Sequence, residues 1–418
     1  MPRLRFNVVV EHTSGNGKMK KVLTSLQKGE ESMLLSHVNV IDQSFRLQKD
    51  WSIRVEEGRI VAIGDSNSSD YEEETEDLRG LTLVPGFIDL HIHGAMGEDT
   101  SDGSASSLAR ISSYLVTKGV TGFCPTTMMI SKNELRQVLE ATQNMDSKAK
   151  TGARMLGVRL EGPFLSKEKC GVQNISYAAV PSIEYFREII QDYPEDLVRI
   201  IDLAPELPGA KDFIASLKDQ YVISIAHTAA TYECCKEAIK IGAKHGTHLF
   251  NAMNPLHHHE PGAVGALIDS PDTTCELICD GLHVHPAVLK MTWKLLGYDR
   301  IVVVSDAMRA AGMPDGVYDL GGTPVTVRNG KTDFGNGRLA GSTTNLHAEM
   351  LYLVSIGIPF EEAVKACTIN PARVLQIDAD VGSLEVGKYA DIVALDQDLN
   401  IRKVWVQGEL VFDDRKRK

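Results

Sequence analysis

Six residues whose types suit metal-assisted hydrolysis are spread along this sequence: His91, His93, Glu161, His227, His248 and Asp306. His91 and His93 close the apolar run Leu83-Val84-Pro85-Gly86-Phe87-Ile88-Asp89-Leu90-His91-Ile92-His93-Gly94. Residues two apart on an extended strand project from one face, so both imidazoles can reach one atom beyond the strand's carboxyl end. Imidazole and carboxylate are the usual donors for zinc or ferrous iron, and three protein ligands plus a water make an open catalytic site. Glu161, His227 and His248 would form such a set. Asp306 ends Ile301-Val302-Val303-Val304-Ser305-Asp306, an apolar run that delivers a carboxylate. Beside a metal-activated water, that carboxylate can take a proton as the water attacks a carbonyl and return it to a leaving nitrogen. The sequence holds no G-x-S-x-G elbow, P-loop or dinucleotide glycine fingerprint. The expected chemistry is therefore hydrolysis of an amide without a Ser or Cys nucleophile.

Such residues act together only if the fold gathers them. The centre of the chain alternates apolar, β-patterned runs with stretches of helical spacing, the mark of βαβ units and a parallel sheet. Eight candidate strands are Leu83–Leu90, Thr121–Cys124, Met155–Leu160, Val198–Leu203, Val222–Ala226, Lys244–Thr247, Thr274–Ile278 and Ile301–Ser305. Helical spacing marks Ala105–Thr117, Lys132–Gln143, Ser182–Gln191, Lys211–Leu217, Thr231–Ile241 and Pro286–Leu296, whereas Leu249–Asp272 carries no strong helix signal. Eight such units predict a (β/α)8 TIM-type barrel with its active site at the strands' carboxyl ends. His91 and His93 follow the first strand, Glu161 the third, His227 the fifth, His248 the sixth and Asp306 the eighth. Short β-patterned runs occupy Leu34–Ile41, Trp51–Val55, Arg59–Ile63, Gly387–Leu395 and Ile401–Phe412, predicting a small β-sandwich domain built from both chain ends. The expected organisation is a polar extension over residues 1–32, the first part of the β domain over 33–82 including an acidic loop from Asp65 to Asp77, a metal-dependent barrel over 83–378, and the second β part over 379–418.

The 418 residues, 43% hydrophobic and 24% charged, suffice for one large domain and a smaller one. A net charge of −12 points away from nucleic acid and anionic membrane, leaving a small molecule as the expected partner. Seven scattered cysteines without a CxxC pair suit a reducing compartment. With no apolar window long enough for a membrane span and no signal-peptide core, a cytoplasmic protein is expected.

The chain resembles the amidohydrolase superfamily and, more narrowly, its N-acetylglucosamine-6-phosphate deacetylase family, over about residues 33–412. The resemblance rests on Pro85 to Gly94, Leu160-Glu161-Gly162-Pro163-Phe164, Leu203-Ala204-Pro205-Glu206, Gly246-Thr247-His248-Leu249-Phe250-Asn251-Ala252-Met253, Asp280-Gly281-Leu282-His283, Ser305-Asp306-Ala307, Leu339-Ala340-Gly341-Ser342 and Gly382 to Asp391. It implies removal of acetate from N-acetyl-D-glucosamine 6-phosphate in amino sugar catabolism or recycling. Glu161, His227 and His248 would hold the main catalytic divalent metal, zinc or iron, and Asp306 would be the general acid/base. Retention of His91 and His93 leaves one or two ions per subunit open. Asn251, Ala252 and His283 would contact the sugar phosphate, Leu339, Ala340 and Gly341 would line the acetyl end, and Val172 and Gln173 would touch the substrate. His259 stands where members often carry an arginine that reaches a neighbouring subunit's phosphate, so weaker or pH-dependent phosphate binding is expected. A homodimer follows from the resemblance alone.

Consecutive residues cannot converge on one ion from a regular element, so His257-His258-His259 reads as a substrate loop. His347 falls in a stretch expected to be helical and reads as a packing residue. Two other readings stay open: an amidohydrolase acting on the galacto epimer or a cyclic amide, and a catalytically silent assembly protein. A modified bridging lysine, common among cyclic-amide hydrolases, would be replaced here by Glu161, and a silent protein would be expected to have lost ligands that this chain keeps.

Overall fold

Eight parallel strands, all lined by buried residues, form the frame that carries the candidate ligands. They are β1 (Phe87–Ile92), β2 (Val120–Thr127), β3 (Val158–Glu161), β4 (Val198–Leu203), β5 (Val222–Ile225), β6 (His245–Gly246), β7 (Thr274–Leu277) and β8 (Ile301–Val303). Each pairs with its sequence neighbour in parallel. The ring closes just beyond the strands, where Asp306 N donates to His91 O and His93 N donates to Ala307 O, both at 2.9 Å. This computed structural model describes residues 32–66, 75–145 and 151–416. Residues 1–31 of the polar extension and residues 67–74 of the acidic loop lie outside the described residues.

Alternation along the strands sorts side chains into two cores. On β8, Val302 and Val304 join Ile88, Leu90, Cys124, Ile200 and Ile278 inside the barrel. Ile301 and Val303 face outward among the helix residues Leu289, Trp293, Val364 and Cys367. On β1 the pairing register slips between Asp89 and Ile92. That irregularity carries the alternation across, so Leu90 below and His91 and His93 at the rim all face inward.

The sequence-predicted strand Leu83–Leu90 is two strands. Thr82–Pro85 pairs with Ile392–Leu395 and Ser32–Ile41 in the terminal sheet, and the barrel starts at Phe87. Gly86 is the joint. A Cβ there would lie 2.1 Å from Thr121 Oγ1, so only glycine lets the chain pass from one sheet to the other at this distance. The terminal strands join in one hydrogen-bonded sheet ordered Glu409–Asp413, Ile401–Val406, Ile392–Leu395, Thr82–Pro85, Ser32–Ile41, Leu47–Glu56, Arg59–Asp65, with Thr75–Asp77 beside Ser32–Ile41. Its strands also alternate. Leu83, Ile392, Ala394 and Trp405 bury against the sheet's own core, while Val84, Val393, Leu395, Val404 and Val406 belong to the core shared with the barrel helices.

The expected helices appear within a residue or so of their predicted limits. Two features depart from the expectation. Gly262–Ile268 is a helix, hidden in the sequence because Gly-Ala-Val-Gly-Ala-Leu-Ile has no polar face to create a period. After β8 the chain inserts a three-stranded antiparallel sheet, Gly316–Leu320, Thr323–Arg328 and Lys331–Asp333, before three closing helices.

Candidate functional site

All six sequence-predicted residues meet at the carboxyl rim of the barrel, and all are buried. Two sets of three donors share Glu161: His91, His93 and Glu161, and Glu161, His227 and His248. Glu161 Oε1 lies 3.1 Å from His227 Nε2, 3.2 Å from His248 Nε2 and 3.4 Å from His91 Nε2. Its Oε2 lies 3.3 Å from His93 Nε2. His227 and His248 present their Nε2 atoms 3.2 Å apart, and His91 and His93 theirs 3.3 Å apart. Ligands bound at about 2.0–2.1 Å around a tetrahedral zinc stand roughly 3.3 Å from each other. The donor spacing therefore fits a divalent cation in each set.

The far side of three of these rings is also settled. Nδ1 faces Lys169 O at 2.8 Å in His227, Thr126 O at 3.2 Å in His93 and Glu276 Oε2 at 3.3 Å in His91. Each partner can only accept, so the proton sits on Nδ1 and Nε2 offers its lone pair inward. The electrostatics agree. Burial would push Glu161 up, but the His91 and His227 imidazoles hold it well below the usual carboxylate range. Burial would likewise lower His248, yet Glu161 raises it to about 9. Burial is again overcome at Asp306, which the charge of His91 and the bond from His93 hold at about 2.

Backbone strain marks the same places. His227, His248 and Asp306 have φ of 42°, 27° and 46°, left-handed values uncommon for residues with a side chain. The turns lie at the ends of β5, β6 and β8 and aim the three side chains across the rim. Asp306 Oδ1 stands 3.2 Å from His93 Nε2 and 3.5 Å from His91 Nε2. Strained backbone of this kind persists where the surrounding hydrogen bonds hold it. Ser342 N donates to Asp306 O at 2.7 Å, and Glu206 takes Thr228 Oγ1 at 2.5 Å and Ala229 N at 2.8 Å just after His227.

A cavity of about 640 Å³ opens above these groups. Val172, Gln173, Asn251, Ala252, His283, Leu339, Ala340 and Gly341 all line it, together with His93, Glu161, His227, His248 and Asp306. Gln173 lines the cavity beside the shared carboxylate. Its amide is engaged at both ends, taking Met129 N at 2.6 Å and donating to Glu161 Oε2 at 2.6 Å, so it steadies the shared carboxylate. His283 is turned into the cavity by Asp280, whose carboxylate meets its Nδ1 at 2.8 Å. His259 is exposed, sits in a stack with His258 at 4.0 Å between ring centroids, and is not among the cavity-lining residues. His347 packs as expected, its Nε2 on Leu399 O at 2.7 Å.

Sequence reasoning missed the layer beneath. Arg159, Asp202 and Glu276 are fully buried inside the barrel. Arg159 meets Asp202 through two bonds of 2.9 Å and also donates to Thr247 Oγ1 and Glu276. Burial would raise Glu276, but Arg159 and the bonds from His245 and His91 hold it well below the usual range. A signal existed: each is a charged residue inside an apolar strand, two positions from another inward-facing residue. The cavity roof was missed as well, because Leu320, Phe334 and Arg338 belong to the inserted sheet and its following turn.

The sequence signature of the amidohydrolase family matches residues 82–411. The chain is similar to an N-acetylglucosamine-6-phosphate deacetylase of Vibrio furnissii, 36% identical over 368 residues, which cover 88% of this chain and 92% of that protein. It is also similar to an N-acetylgalactosamine-6-phosphate deacetylase of Escherichia coli O157:H7, 35% identical over 363 residues, 86% of this chain and 94% of that protein. Among solved structures, a mutant N-acetyl-D-glucosamine-6-phosphate deacetylase of Mycobacterium smegmatis in complex with N-acetyl-D-glucosamine-6-phosphate superposes with a TM-score of 0.85 at 32% identity, covering 91% of this chain and 99% of that one.

Proposed function

Because the chain belongs to the amidohydrolase family, and to its N-acetylglucosamine-6-phosphate deacetylases, we propose that it hydrolyses N-acetyl-D-glucosamine 6-phosphate to D-glucosamine 6-phosphate and acetate. The observation that carries this reading is the meeting of Glu161, His227 and His248 with the Asp306 carboxylate at the floor of one cavity. Glu161, His227 and His248 would hold a divalent cation, which would supply Lewis acidity to the acetamide carbonyl and to a nearby water.

The chain's own residues supply the rest. Asp306 takes a proton from the attacking water and returns it to the sugar nitrogen as the C–N bond breaks, so acetate leaves and the amine stays on the sugar. Leu339, Ala340 and Gly341 enclose the acetyl group. Asn251, Ala252 and His283 hold the sugar phosphate, with Val172 beside them. Gln173 keeps Glu161 in place through its 2.6 Å hydrogen bond. His259, outside the cavity of its own chain, acts on the phosphate of a second copy in a homodimer.

The seven cysteines are free and no described helix is long and apolar enough to cross a membrane. These features support a place in the cytoplasm, in amino-sugar metabolism. The similarity to a galactosamine-phosphate deacetylase favours one second reading, the galacto epimer as substrate. Acetate release from both phosphorylated epimers and from unphosphorylated N-acetylglucosamine, with metal content measured on the same sample, tests the proposal. Selective turnover of the gluco phosphate supports it, and turnover confined to the galacto phosphate replaces it with the second reading.

A further inference from the structure

Glu276 touches both donor sets, through His91 of one and His248 of the other. Its Oε2 takes the Nδ1–H of His91 at 3.3 Å and the backbone N–H of His248 at 3.2 Å. Its Oε1 takes His245 Nε2 at 2.9 Å and an Arg159 N–H. Four donors thus converge on one carboxylate that is 0% exposed. The two contacts at Oε2 differ in what they control. The bond to His91 fixes the ring itself: its tautomer, its rotation and the inward direction of Nε2. The bond to His248 is to the backbone at the end of β6 and leaves that imidazole free to be set by Glu161 and His227.

We propose that Glu276 is the positioning residue that makes the His91, His93 and Glu161 set competent to hold an ion, with Arg159 and His245 bracing it from below. Carboxylate partners of ligating histidines commonly change metal affinity by about 10–100-fold. The other histidine of this set leans on a backbone carbonyl, Thr126 O, which no side-chain substitution removes. Glu276 is therefore the point at which the second ion position is set, while Glu161, His227 and His248 can bind without it. An amide of the same shape keeps only one accepting oxygen, so one pair of donors, His91 with the His248 N–H or His245 with Arg159, meets an N–H₂ group instead. When it is the first pair, the His91 ring loses its partner or adopts the other tautomer; when it is the second, the bracing of the side chain from below is lost, and either way the Nε2 lone pair of His91 is held less firmly toward the set.

This inference rests on the metal-dependent reading above but not on the identity of the sugar. The test strips the full-length protein with a chelator and titrates it with Co²⁺, following the visible absorption and the bound metal by mass spectrometry, for the unaltered chain and Glu276→Gln. Acetate release is assayed in parallel. Expected are two ions per chain in the unaltered protein, and in Glu276→Gln a second ion weakened at least about tenfold with the first nearly unchanged. A second ion bound equally well by Glu276→Gln overturns the proposal, as does an unaltered chain that takes only one ion or a variant that weakens both ions alike. Should Glu276→Gln not fold, His245→Gln removes one brace; a milder loss confined to the second ion supports the assignment, and an unchanged second ion overturns it. Two ions with no sugar turnover would refute the substrate and leave the role of Glu276 standing.

Discussion

The backbone N–H of Asp306 donates to the carbonyl of His91 at 2.9 Å, so the bond that closes the barrel between its last and first strands also sets the proposed acid/base beside a proposed metal ligand. Closure of the fold and assembly of the site are here the same event.

Asp306→Asn keeps the shape of the side chain and the backbone bonds to His91 and Ser342. Its expected outcome is a folded, metal-loaded protein whose turnover falls by about 10²–10⁴-fold, the usual contribution of a general acid/base. Acetate release and metal content measured together check it; near-normal turnover would remove Asp306 from its role.

Chelator treatment should abolish acetate release, and zinc or ferrous iron should restore it. Because the donors are preformed and buried, the metal-free protein should also melt at lower temperature. Binding at 100–1,000 times the dissociation constant stabilises by roughly 3–4 kcal/mol. A melting temperature that ignores the metal would argue against occupation of Glu161, His227 and His248.

Burial raises Asp89 to about 7 despite bonds from Ser305 and the His91 N–H. In the unfolded chain it ionises near pH 4. Between those values the folded protein holds a proton that the unfolded one has released, so Asp89 makes stability fall as pH rises from about 4 to about 7, by on the order of 4 kcal/mol. Asp89→Asn is neutral throughout, and the difference between the two proteins in urea-unfolding free energy should change over that window and level off above it. A constant difference from pH 4 to pH 8 would refute the shift.

Arg159→Met should destabilise the protein by about 3–5 kcal/mol, because it leaves the Asp202 and Glu276 carboxylates buried without their cation. Denaturant unfolding at neutral pH measures this; a loss below about 1 kcal/mol would show that the network relaxes without Arg159.

His259→Arg should lower KM for the phosphorylated sugar and leave that for the unphosphorylated sugar unchanged. His259 does not line the cavity of its own chain, so the effect should vanish under dilution that separates subunits. KM measured alongside sedimentation decides it, and an unchanged or raised KM counts against phosphate contact.

The candidate ligands were legible because His91, His93 and His227 end apolar runs, and an imidazole side chain at that point has few structural reasons to be there. Their numbering along the chain also matched a barrel, whose strand ends meet at one rim. Arg159, Asp202 and Glu276 were harder to see, because within short strands they read as interruptions of a hydrophobic pattern, and the two carboxylates that Arg159 meets lie 43 and 117 positions from it. The joint at Gly86 was hidden for another reason. Both flanking segments are apolar and extended, and only their pairing partners, Ile392–Leu395 and Ser32–Ile41 for one and Val120–Thr127 for the other, distinguish them. The inserted sheet after β8 is harder to see because its strands are short and half-exposed, and its few buried apolar residues, Leu320, Val325 and Val327, join the core shared with the barrel helices rather than forming one of their own.

The sheet shared by both chain ends also bears on synthesis. During translation Thr82–Pro85 leaves the ribosome early, but its antiparallel neighbour Ile392–Leu395 follows only roughly 300 residues later. Until then one edge of that strand is bare, and the first barrel strand, tethered to it through Gly86, is held from one side only. A nascent chain would thus be unable to complete its amino-terminal sheet before nearly all of it has been made, and a ribosome stalled short of Ile392 would carry an open strand edge exposed to pairing with other chains.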